Sequence, residues 1–88
     1  MYFTYVLFSL KDRKFYIGFT NDLKERLGAH RQGKVNSTKM RLPVILIYYE
    51  ACLNKIDALR REKYFKSGQG KKILRNRLKF YLKSLELK

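Results

Sequence analysis

The chain has 88 residues, of which 45% are apolar and 15% aromatic, and its formal net charge is +14. This length predicts one domain, residues 1–88, with a single modest core, and the apolar content excludes a disordered chain. One cysteine, Cys52, excludes an internal disulfide, and one cysteine with one histidine excludes a zinc site. We interpret Cys52 as a small core residue.

The charge is unevenly distributed, since residues 55–88 carry 12 basic and 3 acidic side chains. Such an excess attracts polyanions, so it predicts a partner such as DNA, RNA or an anionic membrane surface, with solubility alone as the alternative. The N-terminus lacks the features of a signal peptide, and no apolar run approaches the roughly 18 residues of a membrane span. We therefore expect a cytoplasmic protein that does not enter membranes.

The first predicted element is a strand from Tyr2 to Ser9, which is apolar on both faces and therefore typical of a strand covered on both sides. A polar break at residues 11–14 returns the chain into a second strand, Phe15 to Phe19. Gly18, near the end of this strand, indicates either close approach of another group to the backbone or a bulge.

A helix is predicted next, capped by Thr20 or Asn21, with Asp22 in its first turn and Gly33 at its end. Residues 33–43 form a polar, basic connection, which we interpret as a functional loop.

The clearest strand follows from Val44 to Glu50. Asn54 and Asp57 resemble a capping pair for a further helix, which the polar and glycine-rich residues 67–70 end. A last helix is predicted from Lys71 to Leu85, with an apolar stripe of Leu74, Leu78, Tyr81 and Leu85. The order β-β-α-β-α-α predicts an α/β (α+β) fold, in which helices cover an antiparallel sheet.

Arg26 and His30 are four residues apart and share one helix face. An arginine there can stabilise charge on a phosphate under attack, and a histidine can move a proton. The alternative is a solvent-exposed pair without a chemical role.

Tyr5 and Tyr16 lie on adjacent predicted strands, and a hairpin can place both rings on one face. A tyrosine hydroxyl near a cation can accept a proton or position a water molecule. We expect both hydroxyls to face solvent; the alternative is a pair of core aromatics.

Glu62 stands out among basic neighbours as one of only seven acidic residues. Its carboxylate can hold one Mg²⁺ or Mn²⁺, with water and substrate phosphate completing the coordination shell. The alternative is an ion pair with Lys66 one helical turn later. The sequence shows no acidic cluster for a two-metal site.

The ordered set of motifs resembles the GIY-YIG nuclease family over roughly residues 3–76, and its smallest single-domain members most of all. The second family motif is intact at Tyr16-Ile17-Gly18, whereas the first keeps only the tyrosine of Phe3-Thr4-Tyr5. The other matching positions are Phe19, Thr20, Asp22, Leu23, Arg26, Leu27, His30, Gly33, Pro43, Tyr48, Tyr49, Glu50, the run from Ala58 to Lys63, and Lys66.

The resemblance implies a three-stranded antiparallel sheet with helices around it, and a role for each matching site residue. Tyr5 would be the general base or would position water, and Tyr16 would support the nucleophile and the scissile phosphate. Gly18 would allow close backbone packing. Arg26 would stabilise the transition state, and His30 would assist proton movement. Glu62 would be the single metal ligand from the protein, and Asn76 is a candidate for an asparagine that several members use.

The leading hypothesis is a Mg²⁺- or Mn²⁺-dependent endonuclease acting on DNA, with structure-selective cutting in repair or recombination implied by analogy. The candidate phosphate contacts are Lys34, Lys39, Arg41, Lys66, Lys72, Arg75 and Lys79. One alternative is an inactive nucleic-acid-binding module of the same fold. Another is a basic protein that binds RNA, ribosomes or an acidic partner.

Overall fold

The computed structural model describes residues 1–86, which form three strands and four helices. In chain order these are β1 (Tyr2–Ser9), β2 (Phe15–Thr20), α1 (Leu23–Arg31), β3 (Val44–Cys52), α2 (Lys55–Lys66), α3 (Gly68–Arg77) and α4 (Lys79–Glu86). The predicted α/β class is confirmed, with one helix more than expected.

The strands form one antiparallel sheet in the order β2-β1-β3, as expected. β1 is central and is buried from Thr4 to Ser9, which explains why its sequence is apolar on both faces. Tyr5 pairs with Gly18 and Leu7 pairs with Tyr16. Because paired residues project to the same side of a sheet, Tyr5 and Tyr16 share one face, as predicted.

Each face of the sheet has its own apolar cluster. Tyr5, Leu7 and Val44 form the core of one face, where Leu27 of α1 packs. The opposite face carries a larger cluster, in which α2 and α3 cover the strands, formed by Val6, Phe8, Phe15, Phe65 and Leu74. β2 lies at an edge of the sheet, so elements on both faces reach its open side.

The predicted cap of α1 is wrong by one or two residues. Asp22 caps the helix, and its carboxylate accepts a hydrogen bond from Glu25 N at 3.1 Å. Thr20 does not cap the helix but holds the cap residue, because its hydroxyl accepts a hydrogen bond from Asp22 N at 3.0 Å. The predicted end at Gly33 is confirmed, with φ of +75° directly after the C-cap residue Gln32.

The predicted break at residues 67–70 is shorter than expected. Asn54 caps α2 as predicted, but only Ser67 separates α2 from α3, and residues 68–70 form the first turn of α3. The Ser67 hydroxyl accepts from Gly70 N at 3.0 Å, so the chain starts a new helix without a longer loop.

The predicted last helix is two helices, α3 and α4, which meet at Leu78. This break shifts the apolar stripe, because side chains of α4 no longer lie on the same helix face as those of α3 at regular helical spacing. Leu82 and Leu85 pack against the core, whereas Tyr81, which the continuous stripe included, is 45% exposed.

Candidate active site

A cleft of about 420 Å³ surrounds the edge strand β2. It is lined by five consecutive residues of that strand, Phe15 to Phe19, whose side chains alternate between the two faces of the sheet. Arg26 and His30 of α1 reach it from one face, and Glu62 and Lys66 of α2 line it as well. The edge strand is therefore what brings α1 and α2 to a common surface.

All five predicted catalytic residues line this cleft together: Tyr5, Tyr16, Arg26, His30 and Glu62. Gly18 lines it too and pairs directly with Tyr5. A Cβ atom at Gly18 would overlap the Tyr5 hydroxyl and lie 2.8 Å from ring atom Cε2. Gly18 therefore lets the Tyr5 side chain pack directly against the backbone of β2.

A hydrogen-bonded chain connects Tyr5, His30 and Thr38. The Tyr5 hydroxyl is 2.8 Å from His30 Nε2, and His30 Nδ1 is 2.7 Å from Thr38 Oγ1. Arg26 Nε donates to the Tyr5 oxygen at 3.4 Å. The Tyr5 oxygen can thus accept from Arg26 while its proton is donated to Nε2, which places the histidine proton on Nδ1, toward Thr38.

Tyr5 is only 2% exposed, so the expectation that its hydroxyl faces solvent is wrong. Its ring belongs to the core, while its hydroxyl reaches the floor of the cleft and meets His30 and Arg26. His30 is also buried, at 3% exposure, and Arg26 is half-buried. The alternative of a solvent-exposed Arg26–His30 pair is therefore wrong.

Burial lowers the pKa of His30 from 6.5 to about 4, and the nearby Arg26 guanidinium contributes to this shift. The imidazole is consequently neutral at neutral pH. A neutral ring can accept the Tyr5 proton at Nε2, which a protonated ring cannot do.

The low pKa of His30 makes stability depend on pH between about 4 and 6.5. In that window the unfolded chain binds a proton that the folded chain does not, so stability is lost as the pH falls. We expect the wild type to lose about 2–3 kcal/mol between pH 7 and pH 4.5 from this group, measured by urea unfolding. His30→Gln removes the titrating group and should lose less; equal losses in both proteins would contradict the assignment.

Tyr16 is half-buried, and its hydroxyl donates a hydrogen bond to Asp12 Oδ2 in the β1–β2 turn. This bond raises the pKa of Tyr16 and lowers the pKa of Asp12. Arg41 Nε lies 3.5 Å from the same Asp12 oxygen. The Tyr16 hydroxyl is therefore protonated and held at one side of the cleft.

Glu62 forms the ion pair with Lys66 that the simpler alternative predicted, at 3.2 Å between Oε2 and Nζ. Both side chains also line the cleft, so the pairing does not remove Glu62 from it. Within residues 1–86 no group of three or more histidine, cysteine or acidic side chains is arranged to hold a metal. A metal in the cleft would have Glu62 as its carboxylate ligand.

The predicted phosphate contacts occupy several elements. Lys66 lines the cleft, and Arg75 of α3 stacks on Phe15, another lining residue, with its guanidinium carbon 4.5 Å from the ring centre. Lys34, Lys39 and Arg41 lie on the loop between α1 and β3, whose Ser37 also reaches the cleft. Lys72 and Asn76 line a separate shallow depression on α3, and Lys79 begins α4. The structure thus does not bring Asn76 to the cleft.

Sequence reasoning missed three residues at this site. Asp12 was assigned only to a polar turn, no role was given to Thr38, and Lys71 was named only as the start of the last helix, although it lines the cleft. Each contact joins segments far apart in the chain or crosses a turn. Of these three residues, only Asp12 could have been suspected from the sequence, because it is an acidic residue four positions before Tyr16.

Fold and cleft define a small α/β domain that presents tyrosine hydroxyls, an arginine, a neutral histidine and one carboxylate beside several lysines. Comparison with protein families finds a match to the GIY-YIG catalytic domain over residues 1–76. The chain belongs to the GIY-YIG nuclease family, which confirms the resemblance drawn from its motifs.

Three bacterial relatives illustrate the match. The chain is 47% identical over 66 residues to a UPF0213 protein of Lacticaseibacillus paracasei, covering 74% of this chain and 73% of the relative. It is 43% identical over 72 residues to the UPF0213 protein YazA of Bacillus subtilis, covering 81% and 72%. For a UPF0213 protein of Streptococcus pyogenes the identity is 45% over 65 residues, covering 73% and 70%. No solved structure matches the chain.

Among residues 1–86, none of the helices combines the length and apolar character that a membrane crossing requires.

Proposed function

We propose that this protein is a divalent-metal-dependent endonuclease that hydrolyses DNA phosphodiester bonds, with a preference for branched or flapped DNA in repair or recombination. The observation that carries this proposal is the convergence of Tyr5, Tyr16, Arg26, His30 and Glu62 on one cleft. We also propose that the protein works as a single domain in the cytoplasm. Because the cytoplasm is reducing, Cys52 stays a free thiol there.

The electrostatics of the cleft support a phosphate substrate. Its lining includes the cations Arg26, Lys66 and Lys71 against the single carboxylate of Glu62, with His30 neutral. The whole chain adds a formal net charge of +14. A concave surface of this sign concentrates polyanions and steers them to the site.

Glu62 fits a divalent cation, because one carboxylate with water and substrate phosphate is a common arrangement for Mg²⁺ and also suits Mn²⁺. Glu62 Oε2 lies 3.2 Å from Lys66 Nζ, so a bound metal ion would compete with this ion pair for the carboxylate. When bound, the ion would supply positive charge beside the phosphate and the leaving oxygen.

In the proposed mechanism a water oxygen attacks phosphorus, the bond from phosphorus to the leaving oxygen breaks, and that oxygen takes a proton from solvent. Tyr5 accepts the proton of the attacking water as its own proton moves toward His30 Nε2. Phosphate bound beside Arg26 offsets the guanidinium charge, which raises the pKa of His30 and makes it a better acceptor. Arg26 stabilises the additional negative charge on phosphorus oxygens.

The cations of the α1–β3 loop, of α3 and of α4 hold the DNA backbone in this proposal. Lys34, Lys39 and Arg41 would contact phosphates on the α1 side, and Lys72, Arg75 and Lys79 would do so from α3 and α4. Such contacts fix position and carry no base-sequence information. Selectivity would then come from the shape of the DNA.

The test is cleavage of supercoiled plasmid, flapped and branched oligonucleotides, and structured RNA, with Mg²⁺, with Mn²⁺ and with chelator. We expect cleavage only with metal, fastest on branched DNA. Glu62→Gln should reduce cleavage by about 1,000-fold or more and leave DNA affinity within a few-fold, because it removes the proposed metal ligand.

Glu25→Gln is the matched control. It makes the same change of charge on the exposed first turn of α1, outside the lining of the cleft, and should cut like the wild type. If wild type binds every substrate and cuts none, the protein is an inactive binding module. Equal cutting by wild type and Glu62→Gln would show that Glu62 has no part in catalysis. If the protein cuts RNA in preference to DNA, the substrate is RNA.

A further inference from the structure

Asp12 is held in place from several directions, although it lies in a turn. Its Oδ1 accepts from Lys14 N at 2.9 Å, and its own N–H donates to Ser9 Oγ at 3.1 Å. The Asp12 side chain is 19% exposed. A carboxylate fixed in this way can act as a stationary acceptor for the hydroxyl of Tyr16.

Ser9 also connects the turn to the basic loop. Its hydroxyl donates to Arg41 O at 2.6 Å while accepting from the turn, so the backbone of Arg41 is tied to that of Asp12. The Arg41 guanidinium then reaches Asp12 Oδ2, the oxygen that Tyr16 also uses. With half of its side chain exposed, Arg41 keeps donors available for a phosphate.

We propose, on the basis of the proposed nuclease function, that Asp12 is a positioning residue for Tyr16 and that Arg41 links it to the DNA backbone. The carboxylate holds the phenolic proton on the side of the turn, so the Tyr16 oxygen presents its lone pairs to the cleft. Tyr16 then accepts a hydrogen bond from the attacking water without giving up its own proton, which leaves the transfer of the water proton to Tyr5 and His30.

Charge effects on Tyr16 are consistent with this geometry. The bond to Asp12 raises the pKa of Tyr16, and Arg41 opposes that shift. The other charged or titratable side chains that line the cleft are those of Tyr5, Arg26, His30, Glu62, Lys66 and Lys71.

Asp12→Asn tests the proposal, because asparagine keeps the shape but not the charge. If the asparagine oxygen retains Lys14 N, its amide nitrogen faces Tyr16 and donates to it, which reverses the bond. We expect the pKa of Tyr16 to fall, as followed by the Cζ carbon signal of labelled tyrosine and identified with Tyr16→Phe. Cleavage should fall about 10- to 100-fold with DNA affinity within about twofold.

Asp57→Asn is the matched control, since Asp57 is exposed in the first turn of α2 and does not line the cleft. It should leave both the Tyr16 pKa and cleavage unchanged. Arg41→Gln should raise the Tyr16 pKa and weaken DNA binding.

The proposal is overturned if the pKa of Tyr16 is the same in wild type and Asp12→Asn, or if Asp12→Asn cuts as well as wild type. A change in thermal stability without a change in that pKa would also overturn it, because it would show a purely structural role. The titration needs no cleavage, so an inactive wild type would count against the proposed function while the titration still decides whether Asp12 holds the Tyr16 proton.

Discussion

Gly18→Ala should reduce DNA cleavage by about 100-fold, because a methyl group at this position takes the space of the Tyr5 hydroxyl and ring. The Tyr5 ring is buried in the core and cannot swing into solvent. It must shift away from β2, and that movement breaks the contacts of its hydroxyl with His30 and Arg26. Cleavage rates under single-turnover conditions measure the effect, and we expect a loss of stability of about 1–3 kcal/mol beside it.

Gly28→Ala is the matched control for this substitution. Gly28 lies inside α1, and nothing would lie within 4 Å of a new Cβ atom there. Alanine should therefore stabilise the helix by about 0.5–1 kcal/mol and leave cleavage unchanged. Full activity in Gly18→Ala would show that the position of Tyr5 does not matter for the reaction.

Gly70→Ala should have the largest effect on folding, with a loss of about 3 kcal/mol and a fall in Tm of roughly 15–20 °C. A Cβ atom at Gly70 would overlap the carbonyl oxygen of Tyr64 and lie 2.8 Å from Phe65 Cα. These are backbone atoms, which have no other rotamer to adopt. The substitution therefore separates α3 from α2, which disturbs the packing of Phe65 against Leu74 in the larger core cluster.

Gly68→Ala provides the comparison, since Gly68 begins the same helix and a Cβ atom there would meet nothing within 4 Å. It should change the free energy of unfolding by less than about 0.5 kcal/mol in either direction. Thermal and urea unfolding of both variants give the difference. If both alanines have the same small effect, the close approach of α2 and α3 is not a constraint on folding.

Local signals in the sequence located most of the elements. β1 was recognisable by its apolar character on both parities, and α2 by its cap at Asn54. Errors arose where several local solutions compete: Thr20, Asn21 and Asp22 are all acceptable caps, and only the folded structure selects Asp22. No glycine or proline marks the boundary between α3 and α4 at Leu78. The periodicity of the apolar residues therefore suggested one continuous helix.

The candidate site could be predicted from the sequence only in part. Tyr16-Ile17-Gly18 and the spacing of Arg26 and His30 pointed to the correct elements, because those signals are local. The partners of Tyr16 and His30, which are Asp12 and Thr38, depend on how a turn and a loop lie against the sheet. The periodicity of apolar residues in the sequence carries no information about such contacts.

By itself the sequence determined the order of the strands and of the first two helices, the positive charge and the family motifs, since these follow from residue type and short-range spacing. Only the tertiary structure decided that β2 is an edge strand, which allows α1 and α2 to place Arg26 and Glu62 at one cleft. It also decided that Tyr5 is buried and that His30 is neutral, because exposure and pKa depend on neighbours that pairing and packing bring together. Tyr16-Ile17-Gly18 is thus a local pattern whose chemistry is set by residues outside it.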